Sequence, residues 1–244
     1  MAVKSGWISA VTLGILFLAS QAHADCVKPE FEGEYGFAAC KEWPAYPGLI
    51  ITAKSQWEPG STHGETGPDG TYDLDLAILE AGTANPLASW RRDTAFESDA
   101  IALQELIIDT ARYRLTPELR AFGVRADFKG SSRVNPVAEH QLSLYVKEGQ
   151  TLRPVLERLV VYEFGGEWDG NCAGERYELS RTVEIAKTTS HGFADLTIKT
   201  QRSGITGVGE GDACENKVSE AKPVLTTLRY DGKAYVLPNG FSGL

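Results

Sequence analysis

Apolar and polar residues alternate with a period of two along this chain more persistently than in any other pattern, which confines the fold to β-sheet. From Tyr72 onward, Tyr72, Leu74, Leu76 and Ile78 point one way while Asp73, Asp75 and Ala77 point the other. That is the signature of a strand with one face buried. A short apolar run at residues 49–53 follows Pro44 and Pro47, and further strands are expected at 87–91, 106–114, 120–128, 142–146, 156–164, 177–186, 195–200, 224–230 and 234–237. Gly, Pro, Asn and Asp punctuate the gaps. These spacings suit antiparallel hairpins better than strand–helix–strand units. The expected fold is therefore all-β and mostly antiparallel, with at most short helical turns.

Two segments are candidates for such turns. Residues 98–112 begin with Ser98, a good helix N-cap, and place Ile101, Leu106 and Ile108 partly on one face. The β-branched Ile107, Ile108 and Thr110, with Thr116-Pro117 as a turn, favour a hairpin over about 106–128 preceded by a short helical turn. Residues 153–158 are the other candidate.

The first 24 residues have the form of a secretory signal: Lys4, an uncharged apolar run from Trp7 to Ala19, then Ala22-His23-Ala24. The apolar run falls short of the ~20 residues that span a bilayer, and no later segment approaches that length. Asp25 before Cys26 is unsuited to lipid attachment. Cleavage is expected after Ala24, leaving residues 25–244 as a single β domain in the periplasm or outside the cell. Removing 24 of the 244 residues leaves 220, with 23 Lys and Arg against 33 Asp and Glu, a charge of −10. That balance argues against nucleic acid as a partner, and 42% apolar residues argue against disorder.

Cys26, Cys40, Cys172 and Cys214 all lie in the mature part. In an exported chain an even count reads as two disulfides. Three pairings are open; Cys26–Cys40 with Cys172–Cys214 is favoured, because polar, Gly-containing segments able to loop back separate each pair. Closing these loops removes roughly 3 and 4 kcal/mol of unfolded-state entropy in the chain-entropy picture. A four-thiolate metal site is disfavoured by the absence of C-x-x-C. Two long loops are expected at 57–70 and 202–222, the second containing Cys214.

One pattern occurs twice. Gly70-Thr71-Tyr72-Asp73-Leu74-Asp75-Leu76 and Gly192-Phe193-Ala194-Asp195-Leu196-Thr197-Ile198 share G-x-x-D-L-x-[LI]. Asp69-Gly70 through Leu74 resembles the blade repeats of FG-GAP or integrin-type β-propellers, in which an acidic calcium loop leads into an outgoing strand. The resemblance implies a propeller-like fan of small sheets; the strand pattern itself suits a two-sheet sandwich equally. The chain departs from the family at Gly67, where a ligand is expected, and at His191, which replaces the central Asp of the second copy. It is otherwise similar to uncharacterised exported proteins of Gram-negative bacteria, which implies no activity.

Glu65, Asp69, Asp73 and Asp75 form the candidate calcium ligands, since hard cations take several oxygens from one loop; the string of ligands is incomplete, a solvated acidic edge is the simpler account, and no cofactor is required. No catalytic residue is assigned. His63, His140 and His191 remain in the mature chain, and Ser61, Ser190 and Ser203 have loop settings, but neither G-x-S-x-G nor S-x-x-K occurs. Zinc motifs are absent. Glu167, Asp169, Glu178 and Glu184 are available as paired carboxylates for glycoside chemistry but read more simply as outer-face charges. Arg112, Arg114, Arg120, Arg125, Lys129 and Arg133 are the one positive concentration, interrupted by Asp109, Glu118 and Asp127; internal pairing is its simpler account. Tyr162, Phe164 and Trp168, close to Cys172, could form a binding platform, but packing around the disulfide is their simpler account.

The expectation from sequence is an exported periplasmic binding or inhibitor-like module whose partner is an envelope protein or glycan, with the loops at 57–70 and 202–222 as its contact surface. The alternatives are an envelope hydrolase acting on a glycan or ester, and a calcium-stabilised structural module.

Overall fold

The computed structural model describes residues 26–33, 35–58, 69–209 and 213–243. Among them there are twelve β-strands and no α-helix: β1 (Gly36–Glu42), β2 (Leu49–Gln56), β3 (Gly70–Glu80), β4 (Pro86–Ser98), β5 (Ile101–Asp109), β6 (Phe122–Gly130), β7 (Val137–Glu148), β8 (Thr151–Trp168), β9 (Gly174–Ser190), β10 (Phe193–Val208), β11 (Glu215–Glu220) and β12 (Val224–Leu228). The all-β, mostly antiparallel fold expected from the alternation is what the chain adopts.

All twelve strands belong to one open sheet, with β1-β2-β3-β4-β8-β7-β6-β5 as its main path. Every pairing is antiparallel except β4 with β8, which meet in parallel at Ser89 and Thr151 alone. The path curls until β1 lies beside β5 without pairing, and Lys41 Nζ donates to Ile108 O across that seam at 3.3 Å. Inside the curl lies a first core that includes Ile51, Tyr72, Leu76, Ile78, Leu106 and Phe122. A second core, with Leu115, Leu142, Leu156, Leu159, Leu196 and Leu228, is closed by residues 113–121 and by the segment around Tyr230 and Tyr235. Each fully buried Leu or Ile contributes about 1.5–3 kcal/mol.

From the second core a ribbon extends outward. The ends of β8, β9 and β10 pair side by side, while β10 carries β12 along one half and β11 along the other. The β9–β10 turn places His191 (φ 47°) and Gly192 (φ 86°) in the left-handed region, the geometry of a two-residue hairpin turn.

Several local expectations are corrected. Residues 98–112 form no helical turn: β5 starts at Ile101 and pairs with β6 from Ile101↔Gly130 to Asp109↔Gly123, so β-branching outweighs the N-cap signal at Ser98. Residues 153–158 belong to β8, and Pro154 is accommodated opposite Tyr145 beside a register shift, where a missing N–H costs least. Residues 202–222 are largely a hairpin of β10 and β11; β11 is exposed along its whole length, so backbone pairing forms it without an apolar stripe. Residues 234–237 form no strand and contribute one isolated bridge, Tyr230↔Tyr235.

The repeated motif has a shared structural result. The β3–β4 register shifts between Tyr72 and Leu74, and the β10–β9 register shifts between Ala194 and Leu196. Asp73 and Asp195 are thus the skipped residues, both buried, at 6% and 3% exposure. Each satisfies an irregularity: Asp73 Oδ1 accepts from Gln56 N at 2.7 Å, and Asp195 Oδ2 accepts from Thr188 Oγ1 at 2.7 Å. G-x-x-D-L here marks a strand whose Asp faces a bulge.

Cys26 is bonded to Cys40, and Cys172 to Cys214, with Cα–Cα distances of 5.8 and 5.5 Å. Two disulfides point to an oxidising compartment.

Candidate functional site

A cleft of about 800 Å³ lies where the ribbon leaves the body. Its walls are the β4–β5 turn with Asp99, Lys129 at the end of β6 and Arg133 in the β6–β7 turn, the end of β8 with Phe164 and Trp168, and Arg176 of β9; Asp69 closes one side. Period-two spacing sends Tyr162, Phe164 and Trp168 to one face of β8. Tyr162 and Phe164 stand opposite His140 and Ala138 of β7 and opposite Ser180 and Glu178 of β9. The result is a half-buried aromatic stripe on a sheet, with Phe164 and Trp168 at the cleft and Tyr162 beyond it, its ring 4.8 Å from His140.

Trp168 is held from three sides. Its backbone N donates to Val134 O at 2.7 Å, and the Arg176 guanidinium lies 4.4 Å from its ring centroid. Gly207 of β10 leaves the room: a Cβ there would overlap the Cys172 carbonyl oxygen and press on the indole. Arg176 also donates to Asn216 Oδ1 at 2.7 Å, while its Nε has no partner. Asp69 of the 57–70 segment lines the same cleft as Arg176, which bonds Asn216 of the 202–222 segment, so both segments contribute a residue to this region.

The basic concentration divides. Lys129 and Arg133 face the cleft, joined there by Arg176 from far along the chain. Arg125 is instead paired with Asp109, Nη2 to Oδ2 at 2.6 Å, and Tyr113 Oη donates to the same oxygen at 2.9 Å. Burial alone would raise the Asp109 pKa, but the Ala111 N–H, Arg125 and Tyr113 together hold it below the ordinary carboxylate value. Arg114 and Arg120 stand opposite one another in an isolated bridge, away from the cleft.

Of the candidate calcium ligands, Glu65 lies outside the described residues. Asp69 is at the cleft, whereas Asp73 and Asp75 converge on Arg91, whose two Nη atoms reach one Oδ2 of each at 2.7 Å. The hydrogen bond that Arg91 donates to Asp75 leads the contributions that raise the Arg91 pKa. Among the described residues no group of three or more His, Cys, Asp and Glu is placed to hold a metal ion.

His63 and Ser61 also lie outside the described residues. His191 Nδ1 is 2.9 Å from Tyr230 O, at the β9–β10 turn. His140 Nδ1 is 3.7 Å from Asp127 Oδ1, in a cross-strand row that runs Asp127, His140, Tyr162, Ser180. Burial raises the Asp127 pKa, offset in part by His140 and reinforced by Glu105. Ser190 adjoins the turn opposite Phe193, and Ser203 pairs with Glu178. The four carboxylates are dispersed: Glu178 lies beside Phe164, Glu167 opposite Glu175, and Glu184 opposite Thr197. Asp169 accepts the Asn171 N–H within its own turn.

Sequence reasoning missed Arg176. Nothing local distinguishes it, and its partners lie far away in sequence. Comparison with protein-family models, with curated proteins and with solved structures returned no match. No helix among the described residues is long and apolar enough to cross a membrane.

Proposed function

We propose that this protein is an exported binding module of the cell envelope, released into the periplasm by cleavage after Ala24, and that it holds an extended glycan in the cleft beside β8. The aromatic stripe on an open sheet face carries this reading. Flat rings at half-exposed positions offer apolar area to the C–H face of a sugar, at little entropic cost because they turn about few bonds. Lys129, Arg133 and Arg176 provide hydrogen-bond donors around those rings, and Asp69 and Asp99 provide acceptors. Polar groups fixed around an apolar floor are the usual composition of a ligand site. The cleft is open along its length, which suits a chain more than an enclosed small molecule.

Titration of the mature protein with soluble envelope oligosaccharides, followed by tryptophan fluorescence, tests this. A saturable change is expected, weakened at least about tenfold, or about 1.4 kcal/mol, in Trp168→Ala. Lys129→Gln with Arg133→Gln, both exposed, should weaken binding without altering the melting temperature. Absence of binding across neutral and acidic oligosaccharides would overturn the glycan reading, and release of new reducing ends during incubation would replace it with a hydrolase.

A further inference from the structure

A second, smaller cavity of about 210 Å³ lies on the other side of β9, and its chemistry differs from the cleft's. Arg181, Arg202 and Lys222 line it together with Thr200, Val224 and Phe241. No carboxylate lines it. Arg181 is 5% exposed and Thr200 6%, and they are cross-strand neighbours on β9 and β10.

The polar atoms here are incompletely satisfied. Arg181 donates Nη1 to Val160 O at 2.7 Å and Nη2 to Gly240 O at 2.9 Å, and its guanidinium lies 4.2 Å from the Phe241 ring centroid. Its Nε and the Thr200 Oγ1 have no partner. A buried polar group without a partner costs about 1–3 kcal/mol, and a buried charge without a counter-ion costs more. Among the described residues no carboxylate is within ion-pair distance of Arg181, Arg202 or Lys222. Burial, and then repulsion from Arg202, lower the Arg181 pKa. Glu139 and Glu163 act against this from further off, but each is engaged elsewhere: Glu139 Oε1 accepts from Gln141 Nε2, and Glu163 Oε1 from Tyr177 Oη, both at 2.7 Å.

We propose that the cavity between Arg181, Thr200, Arg202 and Lys222 is a binding site for a small oxyanion, a carboxylate or phosphate group. Such a group supplies the negative charge that the three cations lack and accepts from the exposed Arg202 and Lys222, beside the buried charge of Arg181. The volume is far above the ~10–15 Å³ that admits one water, and Val224 and Phe241 give an apolar wall to the body that carries the charge. The site is independent of the glycan cleft: Arg176 and Arg181 are an odd number of positions apart on one strand and so face opposite ways.

Thermal unfolding of the mature protein at fixed ionic strength, with phosphate, acetate or hexanoate replacing chloride, tests the assignment. At least one oxyanion is expected to raise the melting temperature by several degrees beyond chloride, through mass action on the folded state. Phosphate ahead of both carboxylates identifies a phosphate site; hexanoate ahead of acetate identifies a carboxylate on an apolar tail. The Arg181 Nε–H resonance should shift with the same midpoint. Arg202→Gln with Lys222→Gln, at two exposed positions, should fold normally and reduce the stabilisation to the chloride level. No oxyanion-specific shift, or a shift unchanged in that double variant, would overturn the proposal, while leaving glycan binding and its dependence on Trp168 untouched.

Discussion

Arg176 and Arg181 sit on one strand, each over an aromatic ring, at 4.4 Å from Trp168 and 4.2 Å from Phe241, yet they live in opposite surroundings. Arg176 is half-exposed, bonds a neutral amide and faces an open cleft. Arg181 is buried, and its bonds go to two backbone carbonyls. Water can reach the terminal nitrogens of the first, although its Nε is buried without a partner, as that of the second is. The second depends on what the fold, or a bound group, supplies. The same contrast holds along the ribbon. The Arg176 half projects beyond both cores and is joined covalently by Cys172–Cys214, whereas the Arg181 half rests on the second core. A sheet extended past its core needs another device to hold its strands, because an isolated ribbon is marginal in water.

The largest effect should come from removing that device. Cys172→Ser with Cys214→Ser is expected to cost up to about 4 kcal/mol, against about 3 for the shorter Cys26–Cys40 loop. Loss of protection in amide hydrogen exchange should concentrate at the start of β9 and in β11, and spare residues near Arg181. Uniform loss across β9 would break the comparison, since it would make the ribbon one cooperative unit with the core.

Next in size is Arg181→Met. It removes a charge whose burial is unfavourable, but it strips the buried Val160 carbonyl of its donor and releases the segment carrying Gly240 and Phe241. The unsatisfied carbonyl should win, giving a net loss of about 2 kcal/mol in chemical denaturation. An unchanged or raised stability would mean that burying the uncompensated charge costs more than leaving the carbonyl without a donor, as happens at some buried ion pairs.

What the sequence could and could not announce follows from the same division. Strands with one face in a core, such as β3, betray themselves through alternation because burial selects every second residue. β11 has no buried face, so its backbone pairing leaves no mark in composition. β1 escaped notice as well, in a stretch with no clean alternation. The pairing of the cysteines was legible only as the favoured one of three, from the polar, Gly-containing segments between each pair, and Phe164, Trp168, Lys129 and Arg133 were legible as residue types. Their meeting in one cleft was not, since it depends on a turn, a strand end and a ribbon that only the folded sheet brings together. The repeated G-x-x-D-L resembled a calcium-bearing blade. In the structure its Asp73 and Asp195 face bulges, and the first of them lies against Arg91. A local pattern reports the local irregularity and says little about the assembly around it.

The smallest effect is expected at Arg176, and it separates the two arginines most sharply. Arg176→Met keeps most of the apolar stem over Trp168, loses the Asn216 hydrogen bond at a solvated position, and forfeits a cation–π contact of about 0.5–1 kcal/mol at exposed sites. Stability should therefore fall by no more than about 1 kcal/mol, roughly half the loss at Arg181. Oligosaccharide affinity should fall several-fold, because the donor group at the cleft is gone while the indole stays in place. Arg176→Lys discriminates further: it restores the charge without the planar fork. If geometry rather than charge makes the contact, the lysine variant binds no better than the methionine one. Equal stability losses at both arginines would erase the distinction between an exposed recognition group and a buried one.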